Sequence, residues 1–118
     1  MFGSVEVIES SDDSCKFEGV IPESLELFED HFPGFPILPG VLALEIMKES
    51  LQEIRIEKTL RLHSIERVKF SSYLKPGESW RSEAKLKFEN NDTKVWKVKL
   101  LSGDRVASSA EFHYFLPN

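Results

Sequence analysis

The feature that most constrains this chain is a single apolar helix followed, to the end of the sequence, by nothing but strands. From about Pro39 the residues Val41, Leu44, Met47, Leu51 and Ile54 recur at three- and four-residue steps and form one apolar stripe. Leu42 and Ile46 widen it, so the first turns are apolar on more than one side and need structure wrapped around them. The later part, Lys48 to Lys58, is amphipathic and charged and is expected to reach solvent. Four runs then read as β, at 60–73, 79–89, 93–101 and 105–115. They are separated by the turn sequences Lys75-Pro76-Gly77-Glu78, Asn90-Asn91-Asp92 and Ser102-Gly103-Asp104. Such short connections predict sequential, antiparallel strands. Trp96, Val98 and Leu100 alternate with Lys97 and Lys99, which predicts one buried and one wet face. Ahead of the helix, residues 2–8 and 15–21 alternate as strands around a Ser10–Ser14 turn, and Pro22 to Phe28 reads as a short helical turn. A sheet with one apolar face and one helix to fill it is an α+β domain, here a single domain spanning 1–118. Its open edges invite edge-to-edge pairing with a second copy.

Charge is distributed unevenly. Residues 1–57 carry three basic side chains against thirteen carboxylates, a balance of −10, whereas residues 58–118 carry twelve against seven, a balance of +5. Arg81, Lys85, Lys87, Lys94, Lys97 and Lys99 cluster in the β region. The plain reading is a solvated strand face; the sharper one is a docking surface for an acidic partner such as a carrier protein. The net charge of −5 and the lack of a recognisable binding motif argue against nucleic acid. A lone Cys15 rules out an internal disulfide framework and fits a reducing compartment. With no signal-like start and no apolar run of spanning length, the expectation is a cytoplasmic protein without membrane insertion.

Between the first strands and the helix lies His31-Phe32-Pro33-Gly34-Phe35-Pro36-Ile37-Leu38-Pro39-Gly40, which runs into Val41-Leu42-Ala43-Leu44-Glu45. Prolines 33, 36 and 39 fix φ repeatedly and stiffen this loop. Histidine titrates near neutrality, so His31 is suited to removing a proton next to a carbonyl, although taken alone the structural loop-histidine reading is favoured. Glu45 sits among apolar neighbours, where a carboxyl tends to stay protonated and serve as a general acid; the alternative is a solvent-facing partner of Lys48. Gly40, at the first helical turn, offers an unpaired N–H to a carbonyl oxygen that becomes negative; the alternative is a glycine required only for the turn. Base, donor and acid together suit chemistry α and β to a carbonyl. His63 and His113 read as ordinary strand residues rather than metal ligands, and Cys15 as a small packed side chain. No cofactor or metal is implied, since no phosphate loop or dinucleotide fingerprint is present.

The 31–45 segment closely resembles the active-site signature of the 3-hydroxyacyl-[acyl-carrier-protein] dehydratases of the FabZ/FabA type, including the spacing from His31 to Glu45 and the Pro-Gly-Val-Leu at the helix start. The likeness continues through Ile65-Glu66-Arg67-Val68-Lys69-Phe70, Lys75-Pro76-Gly77-Glu78, Trp96-Lys97-Val98-Lys99 and Val106 to Phe112, so it covers roughly Lys16 to Phe115. The resemblance implies a hotdog fold, a long central helix wrapped by a curved antiparallel sheet. It also implies a homodimer with two sites at the interface, His31 of one subunit facing Glu45 of the other. His31 and Glu45 are then the catalytic pair, with Gly40, Val41, Phe32 and Pro39 as the oxyanion and substrate-binding set. An apolar tunnel beside the helix would take the acyl chain of an acyl thioester, delivered by an acyl carrier protein or by coenzyme A, in fatty acid or related lipid synthesis. Glutamate at 45, where the dehydratase/isomerase branch has aspartate, argues for dehydration without isomerisation. Three departures stand out: Glu49 replaces the family's common glutamine, Tyr73 its usual proline, and the connection around 56–62 is shorter. A hotdog acyl thioesterase and a non-catalytic acyl-binding hotdog protein are the alternatives; the retained His31 argues against the thioesterase.

Overall fold

The computed structural model describes residues 6–21, 40–52, 60–75 and 77–116. They form strands β1 (Glu6–Ser10) and β2 (Ser14–Val20), helix α1 (Gly40–Gln52), and strands β3 (Arg61–Phe70), β4 (Ser79–Glu89), β5 (Thr93–Ser102) and β6 (Arg105–Phe115). All six strands join one antiparallel sheet in the order β1-β2-β4-β5-β6-β3. The hairpin turns form where the sequence places them. Ser11 N–H donates to the Ser14 carbonyl at 2.7 Å between β1 and β2. Between β4 and β5 the Asn90 Oδ1 accepts from the Asp92 and Thr93 N–H groups, both at 2.8 Å, which is the local closure that favours asparagine in turns. Between β5 and β6, Gly103 takes a φ of 60°, a conformation that strains any residue with a Cβ. The expected helical turn at 22–28 lies outside the described residues.

One expectation is corrected. β4, β5 and β6 form the predicted meander, but β3 does not lead it: β3 lies at the far edge against β6, and β4 is held between β2 and β5. The eight residues 71–78 therefore make a crossing and not a hairpin. From β3 to β4 is three strand spacings, about 14 Å, well within the roughly 26 Å that eight extended residues can span. The crossing is tied at both ends. Ser71 and Ser72 N–H donate to the Ala107 carbonyl at 2.8 and 3.0 Å, and Gly77 N–H donates to the Ile21 carbonyl at 2.7 Å. In between, Leu74 is buried in the core. Burial of Leu74 and the seven-residue pairing of β2 with β4 outweigh the local pull of a Pro-Gly turn toward a hairpin. Burial alone would raise the Glu78 carboxyl; the Lys75 N–H, Ser102 and Arg105 outweigh it and hold the group below its usual range.

The core lies between α1 and the sheet. On β5, Trp96, Val98 and Leu100 are wholly buried and Lys97 and Lys99 exposed, as the alternation predicts. Phe17, Trp80, Phe112 and Tyr114 complete the apolar floor, and Cys15 is packed among them. Trp80 lies over Gly19, where a Cβ would meet the indole at 2.6 Å. Glycine is needed there because the ring occupies the space of a side chain. The stripe that α1 presents to the sheet is Ala43, Ile46, Met47, Ser50 and Leu51. It shares Met47 and Leu51 with the predicted stripe but is rotated, leaving Leu44 half-buried at its flank. Ser50 belongs in it because its hydroxyl donates to the Ile46 carbonyl at 2.7 Å, so the helix itself satisfies the polar group.

Candidate active site

α1 begins at Gly40, so the Gly40 N–H is among the amides with no partner inside the helix. Val41 follows in the same turn. Glu45 lies five residues on, about 7.5 Å along the axis, and helical side chains lean back toward the N-terminus. The carboxyl therefore leans from the amino-terminal half of the helix toward its free amides. The wheel position, ambiguous from sequence, is settled by the packing. With Ala43, Ile46, Met47, Ser50 and Leu51 against the sheet, Glu45 lies roughly 170° from the centre of that stripe at about 100° per residue. It is nonetheless half-buried. Among the described residues Glu45 makes no hydrogen bond or ion pair, so the surface pairing with Lys48 is not formed. Glu49 is half-buried one turn further on. His31, Phe32 and Pro39 lie outside the described residues.

Of the remaining titratable groups, His63 lies on β3 with its ring 4.4 Å from that of Phe115, over which Arg61 also sits at 5.2 Å. Sequence reading missed a second cluster, on the outer face of the sheet. Glu111 of β6 is buried, hydrogen-bonded by Lys87 of β4, with Arg67 Nε of β3 at 3.5 Å and His113 Nε2 at 3.5 Å. His113 Nε2 is also 3.5 Å from Glu66. Arg67 reaches Glu111 because β3 bulges between Glu66 and Lys69, with Arg67 at a φ of 52°. The Lys87 hydrogen bond, reinforced by the charges of Lys87 and Arg67, holds the Glu111 carboxyl below its usual range against the opposing effect of burial. With both oxygens engaged by cations this cluster fastens β3 to the sheet; among the described residues no group of His, Cys, Asp or Glu is arranged to hold a metal ion. The only sequence signal for it was the lone glutamate of β6, since its Lys87 and Arg67 partners are 24 and 44 positions away.

β3 is itself an edge strand of ten residues. Val68 and Phe70 are exposed on it and Tyr73 just beyond. A long edge with exposed apolar side chains is a surface that calls for a partner.

The architecture of the described residues, a helix against a strongly paired antiparallel sheet, is that of the hotdog fold. A hypothetical thioesterase from Streptococcus pneumoniae TIGR4, solved with coenzyme A, superposes with a TM-score of 0.80 over 99% of this chain and 88% of that one at 12% identity. The dehydratase heterocomplex ApeI:P from Xenorhabdus doucetiae gives 0.73 over 96% and 99% at 22% identity. These likenesses define the fold. The family is defined by sequence. Residues 7–110 match the ApeI-like family of ApeI dehydratases. The 3-hydroxyacyl-[acyl-carrier-protein] dehydratase FabZ of Ligilactobacillus salivarius is 33% identical over 98 residues, 77% of this chain and 69% of the relative. Its counterpart in Caulobacter sp. strain K31 is 32% identical over 93 residues, 72% of this chain and 57% of the relative. The chain belongs to the ApeI-like, FabZ-type family of hotdog dehydratases, and it spans between 57% and 69% of the length of these two relatives. No helix among the described residues is long and apolar enough to cross a membrane.

Proposed function

We propose that the chain is a 3-hydroxyacyl thioester dehydratase. His31 takes a proton from the carbon next to the thioester carbonyl. The Gly40 N–H holds the carbonyl oxygen as negative charge develops on it. Glu45 gives its proton to the departing β-hydroxyl, which leaves as water, and the electron pair of the broken C–H bond becomes the new double bond. The products are a trans-2-enoyl thioester and water; the protons on His31 and from Glu45 then re-equilibrate with solvent. Phe32, Pro39 and Val41 flank the thioester, and the acyl chain follows α1.

The observation that carries this reading is the position of Glu45: in the amino-terminal half of the helix, on the side turned from the sheet, half-buried and without a partner among the described residues. A carboxyl held in that setting is available to a substrate instead of being spent on a surface ion pair. The names of the relatives support a substrate on an acyl carrier protein. The exposed apolar edge of β3 supports a homodimer, and the family resemblance then pairs each His31 with the other subunit's Glu45. Incubation with 3-hydroxyacyl and trans-2-enoyl thioesters, following water addition and thiol release together, tests the reaction. Reversible hydration without thiol release is expected, and loss of about a hundredfold or more in His31→Ala and in Glu45→Gln. Thiol release that survives His31→Ala would favour a thioesterase instead.

A further inference from the structure

α1 carries a second carboxyl on the side turned from the sheet. Glu49 lies four residues beyond Glu45, about 6 Å along the axis, and roughly 130° from the centre of the buried stripe at about 100° per residue. It is half-buried. Like Glu45, it makes no hydrogen bond or ion pair among the described residues. Side chains at this spacing have Cβ atoms about 5–6 Å apart, and each leans toward the turn that precedes it. The Glu49 carboxyl is therefore carried toward Glu45. No cation of the helix is placed to neutralise it, because no lysine, arginine or histidine stands three or four residues from Glu49 on either side. Lys48 is the next residue in sequence, about 100° away round the helix, and forms no ion pair among the described residues. On the helix-facing side of β2, β4, β5 and β6 the titratable groups are Cys15, Glu89, Lys94 and Tyr114, and α1 stands between them and the two glutamates.

We infer that Glu49 is a positioning residue for Glu45, and that the two carboxyls share one proton through a hydrogen bond between them. Two carboxyls this close, half-buried and without a cation, disfavour the state in which both are ionised. A proton on Glu49 passes to Glu45 along the same hydrogen bond, so the acid is held charged with its proton while substrate binds. Glu45 gives that proton to the departing β-hydroxyl, both carboxyls are then ionised, and the pair recovers a proton from solvent before the next turnover. A glutamine in place of Glu49 would still hydrogen-bond Glu45 but would bring no charge, which separates orientation from proton holding. The inference rests on the dehydratase reading for the use made of the proton, but not for its being shared.

The test follows kcat and KM against pH for a 3-hydroxyacyl thioester of N-acetylcysteamine, in the unaltered protein, in Glu49→Gln and in Glu49→Lys. As pH rises, kcat is expected to fall about one pH unit earlier in Glu49→Gln than in the unaltered protein, and earlier still in Glu49→Lys. Beyond that fall kcat is about tenfold lower in Glu49→Gln with KM unchanged, and on its acid side Glu49→Gln keeps the full rate. A fall at the same pH in all three proteins, or an equal loss at every pH, overturns the inference. If the unaltered protein turns over no such thioester, the dehydratase reading fails, and the proton is followed directly by carbon-13 NMR of labelled glutamate carboxyls. The two resonances are assigned by their loss in Glu45→Gln and in Glu49→Gln. Two-step titration of both carboxyls, replaced in Glu49→Gln by a single step of Glu45 at lower pH, supports the sharing. Single-step titration of each, unmoved by substitution of the other, overturns it.

Discussion

Replacing Glu111 by glutamine keeps the shape of the side chain and removes the charge that Lys87 and Arg67 share. The Glu111 side chain is only 6% exposed, but its partners are 48% and 78% exposed, so solvent screens much of their attraction. A hydrogen bond to a charged group contributes about 1.5–3 kcal/mol when well shielded; the exposure of Lys87 and Arg67 places the loss nearer about 1 kcal/mol. For a domain of this size that lowers Tm by about 3–6 °C. The sign of the pH dependence follows from the depressed folded carboxyl. The unfolded chain protonates near its usual value of about 4.3, the folded chain only below it. Stability from ionised Glu111 is thus fully present above that range and lost as pH falls through the lower, folded value. Melts of the two proteins at equal concentration, from neutral pH down into the acid range, should show a gap that closes only as the acid end is reached. A gap that is absent at neutral pH, or that persists undiminished in acid, refutes the assignment of Glu111 as the anchor of β3.

Three further outcomes follow from packing and charge. Gly19→Ala forces a Cβ to 2.6 Å from the buried Trp80 indole; a loss of about 1–3 kcal/mol is expected in denaturant unfolding, and an unchanged midpoint would show that Trp80 has room to move. Gly103→Ala meets nothing within 4 Å but must adopt a φ of 60°, so only the backbone penalty of about 1–2 kcal/mol remains; a much larger loss would mean that the β5–β6 turn carries contacts beyond its backbone. Lys85→Gln removes the repulsion from Lys97 and should raise stability by a few tenths of a kcal/mol in low salt, about 0.2–1 at most, a gain that salt erases; destabilisation would show that Lys85 has a structural partner.

Local features of the fold were legible from the sequence. The turns at Ser10–Ser14, Asn90–Asp92 and Ser102–Asp104, the alternation of Trp96 to Leu100, and the helix itself all depend on residues within a few positions of one another. The place of β3 was not, because Lys75-Pro76-Gly77-Glu78 carries the same local signal whether it closes a hairpin or ends a crossing. Burial of Leu74 and the claim of β2 on β4 decide between these, and both are non-local. Glu45 shows the same limit at the site: its type and spacing were plain, but the face it occupies depended on which stripe of α1 the sheet accepts. Ser50, polar by type, turned that stripe by bonding its own helix.

In the proposed reaction Glu45 is the acid of the dehydration. Its most direct test is the rate at which Glu45→Gln interconverts 3-hydroxyacyl and trans-2-enoyl thioesters, with thiol release followed in the same cuvette. Interconversion without thiol release is expected in the unaltered protein, and a fall of about a hundredfold or more in the variant, with folding intact. Interconversion at an undiminished rate in Glu45→Gln, or thiol release as the main reaction of the unaltered protein, would contradict it.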